Sequence, residues 1–251
     1  MSLSADLTAC AAIVERGDPL RFRCAMTAPV AQRGALFALY AFNVEVSRAP
    51  WVTQEPMIAE MRLQWWRDAL EEIAGEGSVR RHEVATPLGA VLSAKQAQRL
   101  DTLVAARRWD IYRDPFEDRD DFDRYIAQTS GALMQTAAEL LTEDQCDTAD
   151  AGYAAGVGAW LRAVPGLQAQ GRVPMLDGTH AGVRDLAQRG LDALAHARRA
   201  RLPRAATPAL LPATAAEPAL RAAVSDPAAV IDDRLPQPGL RFTLRAAFSW
   251  W

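Results

Sequence analysis

The segment GALFALYAF, residues Gly34–Phe42, constrains the fold more than any other stretch of this chain. It lies inside a helical pattern running from about Pro29 to Arg48 and is apolar on every side. A helix without a polar face needs other elements all around it. Pro50 then ends or kinks it near Ser47 or Arg48, because the residue before a proline avoids the helical region. The next segment, Glu55–Ile73, has two faces. Met57, Ile58, Met61, Trp65, Trp66, Ala69, Leu70 and Ile73 recur at three- and four-residue steps, with Glu60, Gln64, Arg67, Asp68 and Glu71 opposite. This spacing predicts an amphipathic helix with the apolar set buried and Pro56 in its first turn.

Helical patterning continues at about Ser93–Trp109, Asp121–Leu141, Thr148–Gln168, Gly182–Arg199 and Pro208–Val224, and no strand alternation appears. The expected fold class is therefore all-α. The 251 residues suit a single domain, with 226–251 either a loosely packed tail or a short helix packing back with its aromatics. A stripe of small residues, Gly152, Ala155, Gly156, Ala159 and Ala163, marks a helix that others approach closely.

Charge and composition exclude several functions. A net charge of −3, from 28 basic and 31 acidic residues, gives no field for nucleic acid. Cys10, Cys24 and Cys146 form no CxxC pair and the three histidines are scattered, which argues against a zinc site or disulfide framework. The opening residues lack the basic and apolar regions of a secretory signal. The longest apolar runs, Gly34–Phe42 and Ala151–Leu161, fall short of the ~18–20 residues that span a bilayer. A soluble, cytoplasmic protein is expected, able at most to touch the inner membrane face peripherally. GVG at Gly156–Gly158 lacks the third glycine and preceding strand of a nucleotide loop, and neither GxSxG nor a P-loop is present.

Five segments, in order between about Arg21 and Pro212, resemble the squalene/phytoene synthase family. These are RFRCAMTAPVAQRGALFALYAFNVEVSR, with Tyr40–Phe42 reading YAF; the YAF itself, ahead of the first acidic motif; EMRLQWWRDALEEI; YIAQTSGALMQTAAELL, similar to the helix lining the family's substrate cavity; and GAWLRAVPGLQAQGRVPML, similar to the second-motif helix and its turn. The resemblance implies the trans-isoprenyl synthase fold, helices around a central, largely apolar cavity. Active members join two isoprenyl diphosphates head to head, with Mg²⁺ held by carboxylates on facing helices to draw off the diphosphate. Hard cations need oxygen ligands, and residues four apart share a helix face. Counted from YAF, the first-motif aspartates fall at Ser47 and Trp51, and the second-motif pair at Ala163 and Leu167. None is a carboxylate. Pro165 is expected to break the second-motif helix where the family's continues.

This loss resembles a degenerate branch that includes a mitochondrial assembly factor for respiratory complex I and its alphaproteobacterial relatives. The branch implies a non-catalytic assembly or lipid-binding role, with complex I subunits as partners and an isoprenoid or quinone-like lipid in the cavity. No catalytic residue, metal or cofactor is assigned. The alternative is an active head-to-head prenyltransferase with relocated acids, for which Mg²⁺ would be required. A third reading is a hydrolase or transferase acting on another prenyl substrate.

Individual residues carry further expectations. The acidic run from Asp114 to Asp123 reads as a solvated helix start favoured by the helix dipole. Glu45, inside the apolar helix, is expected to pair with an arginine such as Arg162. Tyr40, Asn43, Glu45, Arg48, Arg162 and Arg172 are candidates for a residual pocket, with Arg48, Arg162 and Arg172 either binding an anion or ion-pairing in a scaffold. The run His196–Arg204 reads as a solvated helix end, and Trp250 and Trp251 as contacts with a membrane or another protein.

Overall fold

The computed structural model describes residues 5–75, 78–112, 114–200, 202–239, 242, 244, 245 and 251. The helices are α1 (Ala5–Gly17), α2 (Pro19–Met26), α3 (Val30–Arg48), α4 (Pro56–Ala74), α5 (Ala85–Gly89) and α6 (Ala94–Ala106), the last running into a tight 3₁₀ turn at Arg107–Asp110. Then come α7 (Arg119–Ile126), a wide π turn at Ala127–Gly131, α8 (Ala132–Glu139), α9 (Ala149–Ala169), α10 (His180–Arg199), α11 (Thr207–Ser225) and α12 (Ala228–Ile231). Among the described residues there is no strand, and no helix is long and apolar enough to cross a membrane.

Several helix starts are written locally. Asp18 accepts from Arg21 N at 2.9 Å ahead of Pro19. Ser93 and Gln96 form a reciprocal capping box, and Thr179 caps α10 through Gly182 N at 3.2 Å. Asp118 caps α7 by accepting from Asp121 N at 2.8 Å, so the acidic run does mark a helix start.

Helix α3 is wrapped as its sequence requires: every residue from Leu36 to Phe42 is at most 2% exposed. Helices α9, α10 and α11 pack against one another, and α4 packs on α6. The small-residue stripe of α9 serves two ends. Gly152 sits against Gly131, where an added Cβ would lie 2.7 Å from the Gly131 Cα. Ala159 and Ala163 instead remain exposed and line a cavity.

Two expectations are corrected. Pro165 does not break its helix, since α9 continues to Ala169. The missing N–H removes one hydrogen bond, but Leu161, Val164 and Leu167 are buried on either side against Val183, Leu186 and Val230. Packing therefore holds the backbone helical. In α4, Ala59, Leu63, Trp66, Ala69, Leu70 and Ile73 are buried, whereas Met57, Ile58 and Met61 are 75%, 45% and 65% exposed. Periodicity identifies an apolar face but not how far a neighbour covers it. In the tail, Val230, Leu235 and Phe242 are buried and Trp251 is half-buried against the main core; Trp250 lies outside the described residues.

Helix α9 supplies a paired stability test. A Cβ at Gly158 would sit 2.4 Å from Ala216 Cβ, whereas one at Gly166 meets nothing within 4 Å. Gly158→Ala should lose about 1–3 kcal/mol through overpacking, and Gly166→Ala should be neutral or gain up to about 1 kcal/mol. Urea denaturation of the two variants measures the contrast.

Candidate functional site

A cavity of about 400 Å³ opens between α3 and α9. Helix α3 presents Asn43, Ser47 and Arg48 to it, and the following turn presents Trp51. The first and second of these, and Trp51 after Ser47, are four residues apart and so share one side. From α9 come Gly156, Ala159, Trp160, Ala163 and Leu167, again at three- and four-residue steps. Tyr125, Ile126, Thr129, Ser130 and Leu133 close another wall from α7, the π turn and α8. Arg21 of α2, with Arg107 and Asp110 of the 3₁₀ turn, completes the lining. Ser47, Trp51, Ala163 and Leu167, distant in sequence, thus surround one space.

Asp110 is the single carboxylate of the lining, 3% exposed, and its oxygens are engaged. Tyr125 donates to it at 3.0 Å and Arg107 at 3.1 Å; Arg107 also donates to the Tyr125 hydroxyl at 2.9 Å. Burial opposes the Arg107 charge, but Tyr125 and Asp110 outweigh it and raise its pKa above the usual arginine value. Burial, with Asp110 adding to it, raises the Tyr125 phenol well above its ordinary range, so it acts as a fixed donor. Arg21 is held by Asp18 at 2.6 Å. Arg48 is exposed and makes no ion pair among the described residues. Ser47 spends its hydroxyl on the Val44 carbonyl at 3.1 Å.

Arg172 sits beside this cavity rather than in its wall. It donates to the carbonyls of Tyr112 at 2.6 Å, Trp109 at 3.4 Å and Asp110, and its guanidinium lies 4.7 Å from the Trp51 ring centroid. Other expected positions fall elsewhere. Tyr40 is buried within the core near Arg21 and does not line the cavity. Glu45 is half-buried, outside the lining, and makes no ion pair among the described residues. The expected Glu45–Arg162 pairing is not formed: Arg162 turns to the carbonyls of Pro236 at 3.0 Å, Ala215 at 3.3 Å and Gly158 at 3.4 Å. Burial lowers the pKa of Arg162, and its Nη1 and Nη2 groups donate to backbone carbonyls rather than to a carboxylate. Its work is to tie the tail to α9 and α11.

Sequence reasoning missed Arg21, Arg107, Asp110 and Tyr125. The i,i+3 spacing of Arg107 and Asp110 hints at a local pair, but nothing local joins them to Tyr125. The family resemblance had pointed to the Tyr125–Leu141 helix as a cavity wall without singling out its residues.

The residues present do not fit a magnesium cluster. Magnesium needs an octahedral set of oxygens, with carboxylates to compensate its charge. The cavity offers one carboxylate, already shared by an arginine and a tyrosine. Among the described residues, no group of three or more His, Cys, Asp and Glu is placed to hold a metal ion.

The buried pair predicts a distinctive mutational cycle. Arg107→Leu alone strands the Asp110 charge and should cost about 3–5 kcal/mol, whereas Arg107→Leu with Asp110→Leu should recover most of that loss. Chemical denaturation of both variants reads the difference.

Comparison with known proteins follows this geometry. The squalene/phytoene synthase family model matches residues 14–175. A Drosophila melanogaster protein named as a homolog of NADH dehydrogenase (ubiquinone) complex I, assembly factor 6 is 32% identical over 167 residues, covering 62% of this chain and 50% of that protein. The Homo sapiens assembly factor 6 is 26% identical over 161 residues, covering 62% and 48%. The chain spans about half the length of these curated relatives. Among solved structures, a ligand-bound dehydrosqualene synthase superposes with a TM-score of 0.81 at 16% identity, covering 97% of this chain and 94% of that one. A squalene synthase, HpnC, from Alicyclobacillus acidocaldarius gives 0.70 at 15% identity, covering 92% and 95%. These likenesses show the trans-isoprenyl synthase helical fold. With well over half its length matched by the family model, the chain belongs to the squalene/phytoene synthase family.

Proposed function

We propose that this protein is a non-catalytic member of its family that serves the assembly of respiratory complex I at the inner membrane face, with an isoprenoid or quinone-like lipid in its cavity. The observation that carries the reading is the cavity lining: three arginines and one engaged carboxylate stand where an ionising synthase needs clustered acids. Leaving-group departure from a prenyl diphosphate develops negative charge that metal ions normally neutralise. Ser47, Trp51, Ala163 and Leu167 supply no carboxylate to hold them. The curated relatives named as complex I assembly factors support the assembly role. The apolar walls from Ile126, Leu133, Trp160 and Leu167 suit a lipid chain.

Purified protein given farnesyl or geranylgeranyl diphosphate with Mg²⁺ should yield no C30 or C40 hydrocarbon; its formation would restore the prenyltransferase reading. Deleting the gene should lower NADH:quinone oxidoreductase activity in membranes, and normal activity there would remove the assembly role.

A further inference from the structure

We infer that the cavity between α3 and α9 binds an amphiphile whose head carries a single negative charge, a carboxylate or a phosphodiester, held through Arg48 without a divalent metal. This deepens the non-catalytic reading and rests on it. Charge balance supplies the first support. Of the three arginines in the lining, Arg21 is compensated by Asp18 and Arg107 by Asp110, leaving Arg48 in excess. Arg172, beyond Trp51, and Glu45, three residues before Arg48, lie outside the lining. A net charge of one matches a monoanion. A trianionic diphosphate would bring more negative charge than Arg48 alone compensates.

Hydrogen-bonding capacity points the same way. Ser130 Oγ and Arg107 Nε are buried in this region without a hydrogen-bond partner among the described residues. Neither atom is open to solvent, and a side-chain rotation that exposes either to the cavity would let it donate to an oxyanion but not to a hydrocarbon. The wall also carries apolar side chains at Ile126, Leu133, Ala159 and Leu167, and about 400 Å³ lies within the range that encloses a small amphiphile. Trp51, 38% exposed, lines the cavity and gives a longer tail an apolar exit.

The test titrates the full chain in EDTA with dodecanoate, dodecyl methyl phosphate and neutral dodecanol, following tryptophan fluorescence from Trp51 and Trp160 in the lining. At least one singly charged probe should bind more tightly than dodecanol and be indifferent to added Mg²⁺; which one does so names the head group. Arg48→Gln should weaken that probe about tenfold, the loss of one charge-assisted hydrogen bond, and leave dodecanol unchanged. Ala163→Trp, which fills the cavity from an exposed α9 position, should block binding while preserving the helical circular dichroism spectrum. Equal binding of charged and neutral probes, or an Arg48→Gln variant indistinguishable from wild type, would overturn the inference and leave the non-catalytic reading standing. Conversion of farnesyl diphosphate in the presence of Mg²⁺ would instead remove that reading.

Discussion

A carboxylate enclosed by helices keeps its charge only when something nearby compensates it. At Asp110 the compensation is internal: Arg107 and Tyr125 take its oxygens, and Arg172 takes its backbone carbonyl. That arrangement fixes the 3₁₀ turn after α6 against α7. Through Arg172 it also joins the segment after α9 to Trp51, which follows α3. Three sides of the cavity are therefore registered by one polar network, and each oxygen of the acid within it already accepts a hydrogen bond.

The same scaffold can surround a reaction chamber or a binding pocket, because function lies in the lining rather than the fold. Helices α3 and α9 still present residues at four-residue steps toward a shared space, the geometry that lets paired carboxylates grip metal ions. What stands there is a serine bonded to its own helix, a tryptophan stacked on an arginine, an alanine and a leucine. The positive charge of the lining comes from arginines, Arg21 and Arg107 held in ion pairs and Arg48 exposed. On the proposed reading, such a lining favours a mildly charged guest over the ionisation of a diphosphate.

Much of the fold was legible because it is local. The unbroken apolar run of α3 demanded a surrounding shell, and Asp118 at the head of α7 used a short polar side chain as helix caps do. The four positions at Ser47, Trp51, Ala163 and Leu167 came from the family resemblance, counted from its YAF and second-motif segments, and all four line one cavity. What failed depended on neighbours. Met57, Ile58 and Met61 are apolar yet exposed, because no spacing rule says where a covering helix stops. Pro165 is a breaker in isolation, but its flanks are packed on both sides. Arg162 found backbone carbonyls of α11 and the tail in place of Glu45, and the Arg107–Asp110–Tyr125 set assembles only after α6 and α7 meet.

The central claim is that no divalent ion has a seat between α3 and α9. Its most direct measurement is a crystal of the protein grown with Mn²⁺ and a non-hydrolysable farnesyl thiodiphosphate, with data collected for manganese anomalous scattering. The account predicts no anomalous peak in the cavity and the Asp110 carboxylate still bonded to Arg107 and Tyr125. Manganese bound there by Asp110 or by any other carboxylate would contradict it.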